Sequence, residues 1–322
     1  MPPAPHLRAL LALLLCGATA LQPAADPGPA PWRLVWRDEF DAKELDRTKW
    51  ACDLGNGFFA GPAKVWIPGW GNDELQYYTA EPANVAVQDG VLRLRALKES
   101  VKGCAYTSAR LTTRGADGKA RFAQRYGRFE VRAKLPLGRG LWPAIWLLPL
   151  DERYGGWAAS GELDLMEAKG HEPTAVHGTL HFGATWPANV SAGKPCQLPR
   201  SGRISDFHVY ALEWEPGVVR WYVDDALWQT QNFWWSSSKM TDGKGVPPAG
   251  EADLNVWPAP FDQPFYLLLN LAVGGRFAGD PDATTPFPAE MQVDYVRVYE
   301  RAGGYDPPAP RGPGKLPWAA RQ

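Results

Sequence analysis

Apolar and polar side chains alternate one for one along much of this chain, the spacing of strands and not of helices. In RFEVRAKLP (128–136), Phe129, Val131, Ala133 and Leu135 alternate with Arg128, Glu130, Arg132 and Lys134. That period predicts a strand with one buried and one polar face. VVRWYVDD (218–225) follows Trp214-Glu215-Pro216-Gly217, which reads as strand, tight turn, strand. FYLLLNLAV (265–273) is almost continuously apolar, as suits a strand covered on both faces. MQVDYVRVYE (291–300) alternates again. No window of ten or more residues carries a helical stripe. The class is therefore all-β, and a sandwich of two antiparallel sheets is the natural way to bury so many strands.

Composition sharpens this picture. The 33 Gly and 31 Pro suit many turns between short strands. The 16 Trp exceed what a core needs, because rings of that size are rarely fully buried. Exposed flat rings suit sugar faces, whose C–H patches are apolar while their rims carry hydroxyls. A formal net charge of −1 gives no electrostatic reason to expect nucleic acid or an anionic membrane.

The chain ends differ from its middle. His6 and Arg8 precede an apolar run from Ala9 to Leu15, and Ala18-Thr19-Ala20 offers a small-x-small cleavage site. Residues 1–20 are thus expected to be a signal peptide, too short to span a bilayer, and the mature protein to be secreted, extracellular or periplasmic. A Pro/Ala linker follows at 21–31, and a Pro/Gly-rich tail at 302–322. Both are too poor in apolar side chains to fold alone. Residues 32–301 form one domain, without internal repeats. Export permits disulfides, but Cys52, Cys104 and Cys196 allow at most one internal pair.

The stretch Ser160-Gly161-Glu162-Leu163-Asp164-Leu165-Met166-Glu167 carries the candidate chemistry. In a regular strand Glu162 and Asp164 share a face, while Glu167 points the other way, into the core. An unpaired buried carboxylate is costly. A one-residue β-bulge near Leu165-Met166 returns Glu167 to the acidic face. Three clustered acids raise at least one pKa, which lets one carboxyl stay protonated beside an ionised one. A glycosidase needs such a pair across the bond it breaks. An exposed edge strand with scattered acids, or a calcium site, fits the spacing equally well.

A series of segments resembles glycoside hydrolase family 16, in its bacterial laminarinase branch. In order they are WRDEFD (36–41), WGNDELQYYT (70–79), YTSARLTT (106–113), YGRFEVRAKLP (126–136) and GLWPAIWLLP (140–149). WAASGELDLMEAKGHEP (157–173), VHGTLHFG (176–183), HVYALEWEPG (208–217) and VDYVRVY (293–299) complete it. The resemblance implies a jelly-roll sandwich with a concave cleft and a retaining endo-β-1,3-glucanase needing no catalytic cofactor. Its substrate would be β-1,3-glucan, with no nucleic-acid or membrane partner and a monomer as the default. It implies Glu162 as nucleophile, Glu167 as acid and base, and Asp164 as the residue that tunes the pair. Asn72, Arg110, Trp142, Trp146, Trp157 and His181 match groove positions, whereas Trp234 and Trp235 suit groove or core alike. Glu39, the Gly90 carbonyl and Asp294 match a structural calcium site on the far side of the fold, and hard oxygen donors suit that ion.

Three other readings share these features. The spacing E-x-D-x-x-E departs from the unbulged lichenase pattern E-x-D-x-E, yet it also fits enzymes acting on algal galactans. A non-catalytic β-glucan recognition protein would be expected to have lost catalytic acids, and this chain keeps all three. A transglycosylase would use the same nucleophile with a sugar in place of water. Fold cannot separate these; only the site can.

Overall fold

The computed structural model describes residues 32–61, 63–241 and 244–318. The expected signal peptide and linker, 1–20 and 21–31, lie outside the described residues. The domain is a jelly-roll sandwich of two antiparallel sheets, with eight and seven strands. In the eight-stranded sheet the order is Ala226–Gln231, Val218–Val223, His208–Glu215, Gly127–Lys134, Ala289–Arg301, Val91–Ala96, Val85–Gln88, and Trp32–Asp38 also pairs with Ala289–Arg301. In the seven-stranded sheet it is Asn189–Gln197, Ala175–Gly183, Glu162–Glu167, Leu141–Pro149, Phe265–Val273, Arg110–Thr112, Ala51–Cys52. Among the described residues the only α-helix is the four-residue turn Gly275–Ala278.

The alternation predicted for Gly127–Lys134 is realised: Phe129, Val131 and Ala133 enter the core between the sheets. Its polar face is less exposed than the pattern suggests. Arg128 is only 4% exposed and binds Glu130, Glu213 and Asp225. Tyr295 and Tyr222 donate their hydroxyls to Glu130 and Glu213. Burial of these charges is tolerable because each has partners. Phe265–Val273, the apolar run, is buried at every position.

Tryptophans tie the two sheets together. Trp214 packs edge-on against Phe265 across the core, ring centres 5.2 Å apart. Trp221, on Val218–Val223, donates its indole N–H to the Asp164 carbonyl at 2.8 Å. That approach needs Gly178, where a Cβ would lie 2.5 Å from the Trp221 ring. Trp234 and Trp235 are also core residues, and Trp234 donates to the Pro258 carbonyl.

The C-terminal segment departs from expectation, because residues 302–318 lie against the domain. Trp257 donates to the Ala309 carbonyl at 2.8 Å, and the Gly312 N–H donates to the Asn232 carbonyl at 2.7 Å. Tyr305 and Leu316 pack on the core. Composition measured the scarcity of apolar side chains there but not the backbone groups, which bind a surface already built. Cys52, Cys104 and Cys196 are all free thiols, so packing and not a disulfide holds the framework.

Because the Trp221 N–H donates to a buried carbonyl of the acidic strand, Trp221→Phe removes that hydrogen bond and opens a gap. We expect a loss of about 2–4 kcal/mol in unfolding free energy by denaturant titration, with a fall in activity at temperatures where the variant stays folded.

Candidate active site

The acidic strand is bulged at Leu165. Against Leu141–Pro149, Trp146 faces Asp164 while the neighbouring Ile145 faces Met166, so Leu165 is the extra residue. Against Ala175–Gly183, Glu162 faces His181, Asp164 faces Thr179 and Glu167 faces His177. Glu162, Asp164 and Glu167 therefore share the open face of the seven-stranded sheet. Leu163, Leu165 and Met166 are all buried in the core.

Each acid has a defined partner. Glu162 accepts the Trp157 indole N–H at 2.8 Å through one carboxylate oxygen, and its other oxygen lies 3.7 Å from His181 Nε2. The same His181 nitrogen lies 3.3 Å from an Asp164 oxygen, and Asp164 is only 2% exposed. Glu167 accepts the Trp142 indole N–H at 3.0 Å. Trp157 is 40% exposed and stands beside the His181 ring, with centres 5.5 Å apart. A large ring held open to solvent beside a carboxylate suits contact with a ligand face.

A second group continues from the acids across the sheet. Trp146 donates to the Asn270 side-chain oxygen at 2.7 Å, and Asn270 donates to the Tyr78 hydroxyl at 3.2 Å. Glu74 gathers donors from Asn72, Gln76 and Tyr78. Arg110 donates to Asp53 at 2.9 Å and lies between two indoles, its guanidinium carbon 4.3 Å from the Trp70 ring centre and 4.7 Å from that of Trp146. All nine catalytic and groove positions read from sequence thus lie on or beside this face.

The sequence reading missed Trp70, Glu74, Tyr78, Asn270 and Phe277. For Asn270 a signal existed, since it is the one polar residue in FYLLLNLAV. Phe277 packs against both Trp142 and His177, but it sits in the short helix, where no periodic pattern announces it. His177 pairs with Glu172 at 3.3 Å.

Residues 72–248, more than half of the chain, match the model of glycosyl hydrolases family 16. The chain belongs to glycoside hydrolase family 16. A "Beta-glucanase" of Rhodothermus marinus is 44% identical over 300 residues, covering 90% of this chain and 93% of that protein. A "Glucan endo-1,3-beta-glucosidase A1" of Niallia circulans is 44% identical over 285 residues, but this chain spans only 39% of its length. Among solved structures, the catalytic domain of an endo-1,3-beta-glucanase (laminarinase) from Thermotoga petrophila superposes with a TM-score of 0.68 at 41% identity, covering 84% of this chain and 98% of that one.

The electrostatics of this family 16 site follow from burial and crowding. Burial, then the Asp164 charge, pushes the Glu162 carboxyl up to about 8. The same two causes in the same order push Glu167 up to about 8. For His181, burial disfavours the cation, but the close approach to Asp164 and the surrounding carboxylates outweigh it and raise the ring to about 10. The set therefore holds protons at neutral pH that isolated groups would release. Each glutamate accepts one indole N–H, and His181 lies 3.7 Å from Glu162, so the histidine cation acts most directly on Glu162.

The calcium positions lie apart from this site, and their carboxylates are paired with arginines. Both Glu39 oxygens accept from Arg297 at 2.9 Å, and an Asp294 oxygen accepts from Arg132 at 2.6 Å. Gly90 forms the turn between Val85–Gln88 and Val91–Ala96 and offers only its carbonyl. Calcium takes several oxygen ligands, and here both Glu39 oxygens and one Asp294 oxygen are engaged by guanidinium groups. The sequence registered the donors and not the arginines that face them across the sheet.

Raised carboxyl pKa values have a stability consequence. The folded state binds more protons than the unfolded chain between the ordinary 4.5 and about 8, so the glutamates' contribution falls as pH rises through that window. The His181 contribution is complete below 6.5 and is lost as pH rises through about 10. Glu167→Gln removes one buried charge. It should raise the thermal midpoint at pH 8 by ~2–4 °C and change it little at pH 4, measured by calorimetry.

Proposed function

We infer that this family 16 enzyme is a retaining endo-β-1,3-glucanase that cuts internal bonds of a glucan by double displacement. The observation that carries this reading is the placement of Glu162 and Glu167 on one face by the Leu165 bulge, each held by an indole N–H. In the first step a Glu162 oxygen attacks the anomeric carbon as the glycosidic C–O bond breaks. The departing oxygen takes the Glu167 proton. In the second step Glu167, now a carboxylate, removes a proton from water. That water attacks the anomeric carbon, the ester to Glu162 breaks, and the sugar leaves with its original configuration.

Asp164 and His181 adjust this pair without touching the bond that breaks. The His181 cation favours ionised Glu162, as a nucleophile requires. Negative charge on Asp164 favours protonated Glu167, as an acid requires. Trp157, Trp142 and Trp146 would offer ring faces to the sugars, with Asn72 and Arg110 as hydroxyl partners. The β-1,3 preference rests on the named activities of the Niallia and Thermotoga relatives. A polymeric substrate also suits the proposed export of the chain and action as a monomer. No helix among the described residues is long and apolar enough to cross a membrane.

Hydrolysis of laminarin, curdlan, mixed-linkage glucan, agarose and κ-carrageenan tests the substrate. We expect short oligosaccharides from laminarin, released with the β configuration by proton NMR. Glu162→Gln should lower kcat by at least about 10³-fold and Asp164→Asn by about 10²-fold. Activity confined to a galactan would overturn the substrate, and inversion would overturn the role of Glu162.

A further inference from the structure

Next to the site stands a β-hairpin that belongs to neither main sheet. Strands Gly57–Ala60 and Val65–Pro68 pair only with each other. A two-stranded hairpin is marginal on its own, yet this one displays its largest apolar groups to solvent. Phe59 is 65% exposed and Trp66 43%, and Phe58 and Val65 are exposed as well. Phe59 and Trp66 face each other across the strands, ring centres 5.0 Å apart at 64°. The Trp66 ring lies over Gly57, where a Cβ would come within 2.8 Å of it. Glycine there lets the indole lie flat on the hairpin. A cluster of exposed rings held in this way marks a contact surface.

The hairpin is continuous with the open face of the seven-stranded sheet. Gly69 at its exit donates to the Asn56 carbonyl at 2.7 Å, and Trp70 donates to the Gly55 carbonyl at 3.3 Å. Phe58 stacks on Trp70 with centres 6.0 Å apart, Trp70 covers Arg110, and Arg110 covers Trp146. A packed stack of Phe58, Trp70, Arg110 and Trp146 therefore joins one face of the hairpin to the region beside the acids, while Phe59 and Trp66 on its other face stay open to solvent. From Leu54 to Pro68 the segment has no carboxylate and a single cation, Lys64. A neutral, aromatic surface suits an uncharged polysaccharide and offers nothing to a charged partner.

We propose that the Phe59–Trp66 pair is a distal glucan-binding platform, which holds the polymer beyond the end of the open sheet face, away from the bond that is cut. This rests on the β-1,3-glucanase reading and assigns the hairpin a part in it. Each ring stacks on the C–H face of a pyranose, and the gain is confined to chains long enough to reach both the acids and the hairpin.

The test compares wild type with Phe59→Ala/Trp66→Ala, both confirmed as folded by thermal unfolding. Retention on insoluble curdlan is measured in a Glu162→Gln background, so that binding is read without turnover. Removing both rings should weaken curdlan binding about tenfold. In the active enzyme it should raise KM for laminarin while leaving kcat in place. Single substitutions should give intermediate losses. Equal curdlan binding and equal KM with and without the rings would overturn the platform. So would a concentration-dependent dimer of the wild type that the double variant abolishes with glucan binding unchanged, because the patch would then join two copies of this chain. If wild type cleaves no β-1,3-glucan at all, the β-1,3-glucanase reading fails instead, and curdlan retention still reports on the hairpin separately.

Discussion

One extra residue, Leu165, decides what the acidic strand can do. Were the strand to run regularly through Leu165, Glu167 would fall on the core face beside Leu163 and Leu165, where an unpaired carboxylate is prohibitive. With the bulge, three carboxyls stand on the open face while the apolar residues between them remain in the core. The bulge interrupts the ladder, and the interruption is met from the other sheet: Trp221 reaches through the space that Gly178 leaves and donates to the Asp164 carbonyl. The core thus holds the site in shape as well as supporting it.

Charge follows from that geometry. Acids packed on one buried face raise each other's affinity for protons, and a single histidine among them becomes a cation. The strand that carries the chemistry is therefore a destabilising element, offset by the apolar run Phe265–Val273 and by the core beneath it. The same division separates the tryptophans. Trp50, Trp214, Trp221 and Trp234 are fully buried, while Trp142, Trp146 and Trp157 remain accessible with their N–H groups bonded to polar side chains. The ring count that suggested sugar binding was in good part a core property.

The strand pattern was legible because alternation is a local property: Gly127–Lys134 and Phe265–Val273 declare their faces without reference to the rest of the chain. The bulge was legible for a different reason, since Glu167 at an odd spacing has no tolerable place in a regular strand. Contacts made across strands were not legible. Arg297 on Glu39 and Arg132 on Asp294 depend on register between distant segments, and so does the convergence of Asn72, Gln76 and Tyr78 on Glu74. The docking of residues 302–318 was not legible, because it joins backbone groups with a few side chains such as Tyr305 and Leu316, which composition does not place.

The pH dependence of kcat/KM on laminarin tests most directly whether the bulged face holds a catalytic proton. Glu167 must carry its proton to act, and burial with Asp164 beside it holds that proton up to about 8. The alkaline limb of the profile should therefore have its midpoint near that value, while the acid limb reports the ionisation of Glu162, whose carboxyl the same crowding also raises. A fall centred near the ordinary glutamate value of about 4.3 would contradict it, because the three carboxyls would then titrate as separate, solvated groups.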